Sequence, residues 1–166
     1  MGDVDASKIW LAGYSLGGQL VAEVEALMIE ALHKVPESVA LLSMPKLGPV
    51  TAAVFLGSIG NPRAYDSGRQ ALRVAGLSLV VQESGMQRGQ PRLSKRGRPE
   101  LRRQMYMFAI RSITKDGMFR EYYDRCVAAN PQKPAKKILI AIARDAARMM
   151  FSIAKERRLY TPTAPL

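Results

Sequence analysis

The stretch Leu42-Ser43-Met44-Pro45-Lys46-Leu47-Gly48-Pro49-Val50-Thr51-Ala52 decides the fold. Proline cannot continue a helix but fits its first turn, and glycine relaxes the backbone between two such turns. The spacing therefore predicts a helix over 37–43, a tight turn, and a helix over 49–59. The first carries Val39, Leu42 and Ser43 before the break, and Val50, Ala53, Val54 and Leu56 are the expected apolar side of the second. Two short helices joined in this way resemble a helix-hairpin-helix, which aims backbone N–H groups at phosphate without reading base sequence. Gly48 would let the backbone approach a ligand closely, and Lys46 would add a charge. An αα-hairpin packed only for stability would carry the same pattern.

Outward from this turn the chain is read mostly as helix. Residues 18–34 repeat Leu20, Val24, Leu27 and Ala31 at helical spacing until Pro36. A short helix over 67–75 opens at Asp66 or Ser67. The β-branched run SLVVQES (78–84) reads as a strand, and GMQRGQPRLSKRGRP (85–99), interrupted by Gly and Pro, as irregular. Helices follow over 99–114, with Leu101, Met105, Phe108 and Ala109 facing inward, and over 117–129. The last runs over 135–157, with Ile138, Ile142, Ala146, Met149 and Ile153 inward. The expected fold is mainly α: a helix-hairpin-helix and a helical bundle, with a short strand and a basic Gly/Pro-rich insertion.

Composition bounds the function. The chain has 166 residues and a net charge of +11, and 48% of its residues are apolar. That fits a globular core, and no apolar run is long enough for a membrane span. One Cys and one His exclude a disulfide framework and a Cys/His zinc site, so no metal ligand set is assigned. The charge is uneven. Residues 1–42 hold six acids and two bases, net −4, which leaves +15 on the remainder. Seven bases and one acid crowd Arg88–Arg103. Such clustering points to a phosphate surface, with a solvated basic loop as the plain alternative. Lys133, Lys136 and Lys137 crowd a helix start, where the dipole disfavours cations, and suggest a second anion contact or simple solvation. Tyr106, Tyr122 and Tyr123 could stack on bases but sit at core-like spacing, and Cys126 reads as inert.

Gly13-Tyr14-Ser15-Leu16-Gly17 matches the nucleophile elbow of an α/β-hydrolase. That machinery needs a His well downstream. The only one, His33, falls inside the helix that would follow the elbow, so it cannot return to Ser15. Ser84-Gly85 is a better nucleophile site, because a stretch of Arg and Lys follows it. A serine hydroxyl attacks a phosphodiester only if the phosphate charge is neutralised and the leaving oxygen is stabilised. The arginine fork suits that task.

Order and spacing add a resemblance. The blocks LLSMPKLGPVTAAVFLGSIGNPRAYDSGRQALRVAGL (41–77), the SG pair at 84–85, LSKRGRPELRRQMYMFAI (93–110) and KKILIAIARDAARMMFSIAKERRLY (136–160) follow one another in order. Together they resemble the C-terminal, catalytic-serine domain of the DEDD-type insertion-sequence transposases, a family that includes bridge-RNA-guided recombinases. Lys46 stands where that family has a hairpin Gly, Ser58 where an acid is usual, and Asn61 at a common Asp position.

The resemblance implies that Ser84 is the DNA-attacking nucleophile and forms a transient phosphoserine link. Lys46, Gly48, Arg88, Arg92, Ser94, Lys95, Arg96, Gly97, Arg102 and Arg103 are the expected nucleic-acid contacts. The implied partners are DNA and a structured guide RNA, with no membrane, and the full-length form is expected to be a homo-oligomer. The family's Mg²⁺ is held by four acids of an N-terminal RuvC-like domain, so no cofactor is expected in this chain. The expected organisation is a linker-like helix over 1–37, a remnant of an upstream coiled coil. A transposase domain over 38–160 follows, with its hairpin at 38–59, and then a tail over 161–166. The chain reads as part of a larger enzyme and as inactive alone. Its expected location is the bacterial cytoplasm, associated with the nucleoid. A non-catalytic helix-hairpin-helix module is the alternative from another class.

Overall fold

A computed structural model describes residues 17–81, 83–84, 87–88 and 91–162. Seven α-helices account for most of the described residues: α1 (Gly17–His33), α2 (Pro36–Leu42), α3 (Pro49–Ile59), α4 (Gly68–Val74), α5 (Pro99–Ser112), α6 (Met118–Ala129) and α7 (Ala135–Glu156). A 3-10 turn, Pro62–Ala64, links α3 to α4. Proline stands in the first turn of α2, α3, this turn and α5, where its missing N–H costs nothing. The mainly α expectation holds.

The long helix α7 lies at the centre and packs against α2, α4, α5 and α6. Its buried side chains Ile138, Leu139, Ile142, Ala143, Ala146, Ala147, Met150, Phe151, Ile153 and Ala154 cover more than one stripe. Met150 is buried, while the expected Met149 is only partly so. On α5 the expected stripe Leu101, Met105, Phe108 and Ala109 is buried.

The structure corrects the expected faces of α3 and α1. Val39 on α2 is 55% exposed and Ser38, Ala40 and Leu41 point inward. On α3 Val50 is exposed, and Thr51, Ala52, Phe55, Leu56 and Ile59 are buried. Leu27 of α1 is 66% exposed, and Leu32 and Met28 make the contact instead. α2 and α3 are short and carry apolar residues on several sides, so tertiary packing decides which side faces inward.

The segment after α4 is also corrected. It is not wholly irregular but holds two antiparallel ladders, one within the other in sequence. β1 (Leu79–Val80) pairs with β4 (Arg92–Leu93), Leu79 opposite Leu93 and Val80 opposite Arg92. β2 (Glu83–Ser84) pairs with β3 (Gln87–Arg88), Ser84 opposite Gln87. Each strand is two residues long, and the described Pro91, Gly97 and Pro99 fall outside the paired positions.

The end of α7 is tied back to α2. Arg157, with a left-handed φ of 51°, donates from Nε and Nη2 to Glu37 Oε1 at 3.0 and 2.7 Å. Tyr160 N–H then donates to Ser43 Oγ at 2.7 Å.

Candidate nucleic-acid interface

In the turn between α2 and α3, Met44 and Leu47 are buried and anchor it to the core. Lys46 takes the left-handed region, φ 63°, which explains why a glycine suits this position. Its ammonium donates to the carbonyls of Ser112 and Lys115 at 3.4 and 3.2 Å, at the C-terminal end of α5. Cations are favoured there, so Lys46 joins two elements. Gly48 caps α3 at an ordinary φ of −82°, and a Cβ built on it meets nothing within 4 Å. The packing of the chain itself does not require a glycine there. Asn61, at the position where an acid is usual, accepts the Arg63 N–H at 3.0 Å and caps the 3-10 turn as an Asp would.

The Ser94–Gly97 block is clamped onto the end of α4. Gly76 follows that helix with φ 65°, and Leu77 N–H returns to Leu72 O at 2.8 Å, the wrap that ends many helices at glycine. Lys95 N–H donates to Gly76 O at 3.2 Å, Ser94 N–H to Ser78 O at 2.8 Å, and Arg98 N–H to Val74 O at 2.7 Å. Gly97, at φ 147°, lies so close that a Cβ would collide with the carbonyl oxygens of Val74 and Arg73 and the nitrogen of Gly76. Arg102 reaches back to Lys95 O at 3.1 Å and Ala75 O at 3.5 Å, and Arg98 to Gly57 O at 3.3 Å. Arg102 therefore holds the loop, while Lys95, itself left-handed at φ 55°, and Arg96 are exposed. Arg103 is exposed beside Glu100 at 3.5 Å.

Two grooves meet at the base of the β1–β4 ribbon. One, of about 700 Å³, runs along the β1 side and is lined by Arg69, Arg73, Arg96, Arg144 and Arg148 with Ser78 and Ser94. The other, of about 730 Å³, runs along the β4 side, where Arg92, Lys95, Lys136, Lys137 and Arg144 surround an apolar patch of Leu79, Pro91, Leu93, Ile140 and Ala141. Arg144 lies under both and donates to Leu77 O at 3.0 Å. Arg148 is held by Asp145. Among the described residues no salt bridge engages Arg69, Arg73, Arg92, Lys95, Arg96, Lys136 or Lys137. Uncompensated cations facing a concave surface set up a field for a polyanion.

The fold thus brings Arg92, Ser94, Lys95 and Arg96 together and adds Lys136 and Lys137, which the sequence had as a separate contact. It leaves Lys46 and Gly48 at a different turn and commits Arg102 to the loop. The backbones of Ser84 and Arg88 lie in the inner ladder, and Gly85 lies outside the described residues, as does the Gly13–Leu16 part of the elbow motif. Arg69, Arg73, Arg144 and Arg148 are the contributors that the linear reading missed. Their signal is a pair of arginines four apart on each of two helices, but only the packing of α4 on α7 makes those pairs face one groove. Tyr106, Tyr122 and Tyr123 pack against the core. Burial, with a hydrogen bond to Cys126, pushes the Tyr122 phenol above its usual range. The described residues bring no three His, Cys, Asp or Glu side chains together, so no metal is assigned to them. None of the described helices is long and apolar enough to cross a membrane.

A family model described as the IS116/IS110/IS902 transposase family matches residues 38–124, just over half of the chain. A protein of insertion element IS116 from Streptomyces clavuligerus is 31% identical over 125 residues, 75% of this chain and 31% of its own length. The insertion element IS110 protein of Streptomyces coelicolor is 29% identical over 146 residues, 88% of this chain and 35% of its own length. The insertion element IS900 protein of Mycobacterium paratuberculosis is 28% identical over 143 residues, 86% of this chain and 35% of its own length. The chain spans about a third of the length of these curated relatives.

Proposed function

This chain belongs to the IS116/IS110/IS902 transposase family, and from that premise we propose that it is the part of the transposase that grips DNA and attacks it through Ser84. The observation that carries the reading is the pair of cation-lined grooves at the base of the excursion that bears Ser84. In the proposed step Ser84 Oγ attacks a phosphorus and loses its proton. The P–O3′ bond breaks, and the 3′ oxygen leaves and takes up a proton. The product is a 5′-phosphoserine and a free 3′ hydroxyl. One phosphoester replaces another, so the link can be reversed by a 3′ hydroxyl of a second strand, and exchange needs no external energy source. Arg92, Lys95 and Arg96 neutralise the phosphate charge, which is where transition-state stabilisation by arginine and lysine acts.

The hairpin turn supports a second phosphate contact through Gly48 and the exposed start of α3, since nothing intramolecular occupies the space beside Gly48. Metal-bound acids of a RuvC-like domain, a guide RNA and an oligomer belong to the same proposal for the full-length protein. In the full-length transposase, Ser84→Ala should abolish the covalent protein–DNA adduct seen on denaturing gels and leave DNA binding intact. An adduct that survives the change would refute the assignment. Binding with no adduct from the wild type under any strand-exchange condition would favour a non-catalytic DNA-holding module instead.

A further inference from the structure

We infer that the β1–β4 ribbon is a duplex-reading element that enters the major groove of B-form DNA, with one phosphate backbone in each flanking groove. The inference deepens the proposed function, because it rests on the chain handling DNA and names the form of DNA at this site. Three observations carry it.

The first is the arrangement of charge. Cations lie on both sides of the ribbon, not on one: Arg69 and Arg73 line the β1 side, and Lys136 and Lys137 line the β4 side. A single strand needs one such track, whereas the two backbones of a duplex need two. The second is the ribbon itself. Leu79 and Val80 of β1 and the adjoining Val81 are 46%, 44% and 45% exposed, and Leu79 lines both grooves, so apolar side chains stand where the two grooves meet. Base edges and thymine methyls lie between the two backbones of a duplex and suit such side chains. The third is size. Two antiparallel strands lie about 5 Å apart, and the B-form major groove, about 12 Å wide, admits a two-stranded ribbon. The minor groove, about 6 Å wide, does not, and the A-form RNA major groove is too narrow for side chains.

The test measures binding of this chain to a mixed-sequence DNA duplex of about two helical turns. Occupying the minor groove with netropsin should leave the affinity within about twofold, and filling the major groove with glucosylated 5-hydroxymethylcytosine should lower it about tenfold or more. The same sequence as single-stranded DNA or as an RNA duplex should bind more weakly than the unmodified DNA duplex. The double variants Arg69→Gln with Arg73→Gln, and Lys136→Gln with Lys137→Gln, remove exposed side chains and should each keep the wild-type melting temperature. Each should reduce the slope of log affinity against log salt by about 2, and their losses should add. Sensitivity to netropsin in place of the major-groove filler, equal binding of single strand and duplex, or a slope change from only one pair would overturn the inference. Ser84→Ala should change none of these readings. A wild-type protein that forms no adduct but shows the full pattern would sink the catalytic reading and leave this one standing.

Discussion

At the scale of the residue, two glycines in the same molecule do opposite things. Gly97 combines a φ of 147° with backbone oxygens where its Cβ would be. Gly48 has an ordinary φ and open space beside it. Gly97→Ala should therefore cost at least about 2 kcal/mol of stability, the sum of a disfavoured backbone region and a collision that α4 cannot relieve. Gly48→Ala should leave the melting temperature unchanged. If its glycine serves an approaching phosphate, the added methyl should weaken DNA binding several-fold. Thermal unfolding and fluorescence anisotropy on the two variants separate the cases, and unchanged DNA binding in Gly48→Ala would make the turn a plain packing hairpin. Both glycines stand in the sequence as loop signals of equal weight. Their difference lies in what approaches them from 20 or more residues away, which no local pattern encodes.

At the scale of the element, helix positions were legible because prolines mark their starts. Pro36, Pro49 and Pro99 each open a helix near the expected residue. Which face of a helix turns inward was not fully legible, as Val50 and Leu27 show, because the elements packed against it decide it. The second strand of the ribbon was also hidden: Arg92–Leu93 is too short to show a period of two. The closure of α7 onto α2 was likewise invisible, since Arg157 and Glu37 lie 120 residues apart. That ion pair makes a pH prediction. The Arg157 guanidinium, by hydrogen bonding, and then the backbone N–H of Glu37 hold the Glu37 carboxyl below its usual value of 4.5. A lowered folded pKa means that the charged form favours folding, so the contribution is present above the unfolded value and is lost as pH falls through the folded one. Glu37→Gln should unfold at lower urea than the wild type at neutral pH. The gap should narrow below about pH 4.5 and vanish once Glu37 is protonated in both states. Parallel stability curves from neutral to acid pH would show that the pair contributes nothing specific.

At the scale of the whole molecule, the imbalance of −4 on residues 1–42 and +15 on the rest was legible, but its destination was only half so. Within the linear cluster Arg88–Arg103, six of the seven bases, all but Arg98, are the expected ligand contacts. In the fold, the half-buried Arg102 and the exposed Arg98 are engaged with backbone carbonyl oxygens, and α4 adds the exposed Arg69 and Arg73 to the groove, beside Arg144 and Arg148 of α7. An arginine that satisfies backbone carbonyls acts on stability, whereas one exposed in a groove acts on counterion release. Each phosphate that a groove cation neutralises contributes about −0.9 to the slope of log affinity against log salt. Arg73→Gln should therefore weaken DNA binding, lower that slope by about 1 and leave the melting temperature as it was. Arg102→Gln should do the reverse. It leaves the carbonyls of Lys95 and Ala75 without their donor, so it should lower stability by about 1–2 kcal/mol. Its effect on binding should appear as a loosened Ser94–Gly97 loop, with weaker affinity but a slope close to wild type. Measuring affinity at four or five salt concentrations, beside a thermal melt, distinguishes the two roles in one pair of proteins. If Arg102→Gln lowered the slope as much as Arg73→Gln, the arginine that holds the loop would also be one of those that hold the DNA.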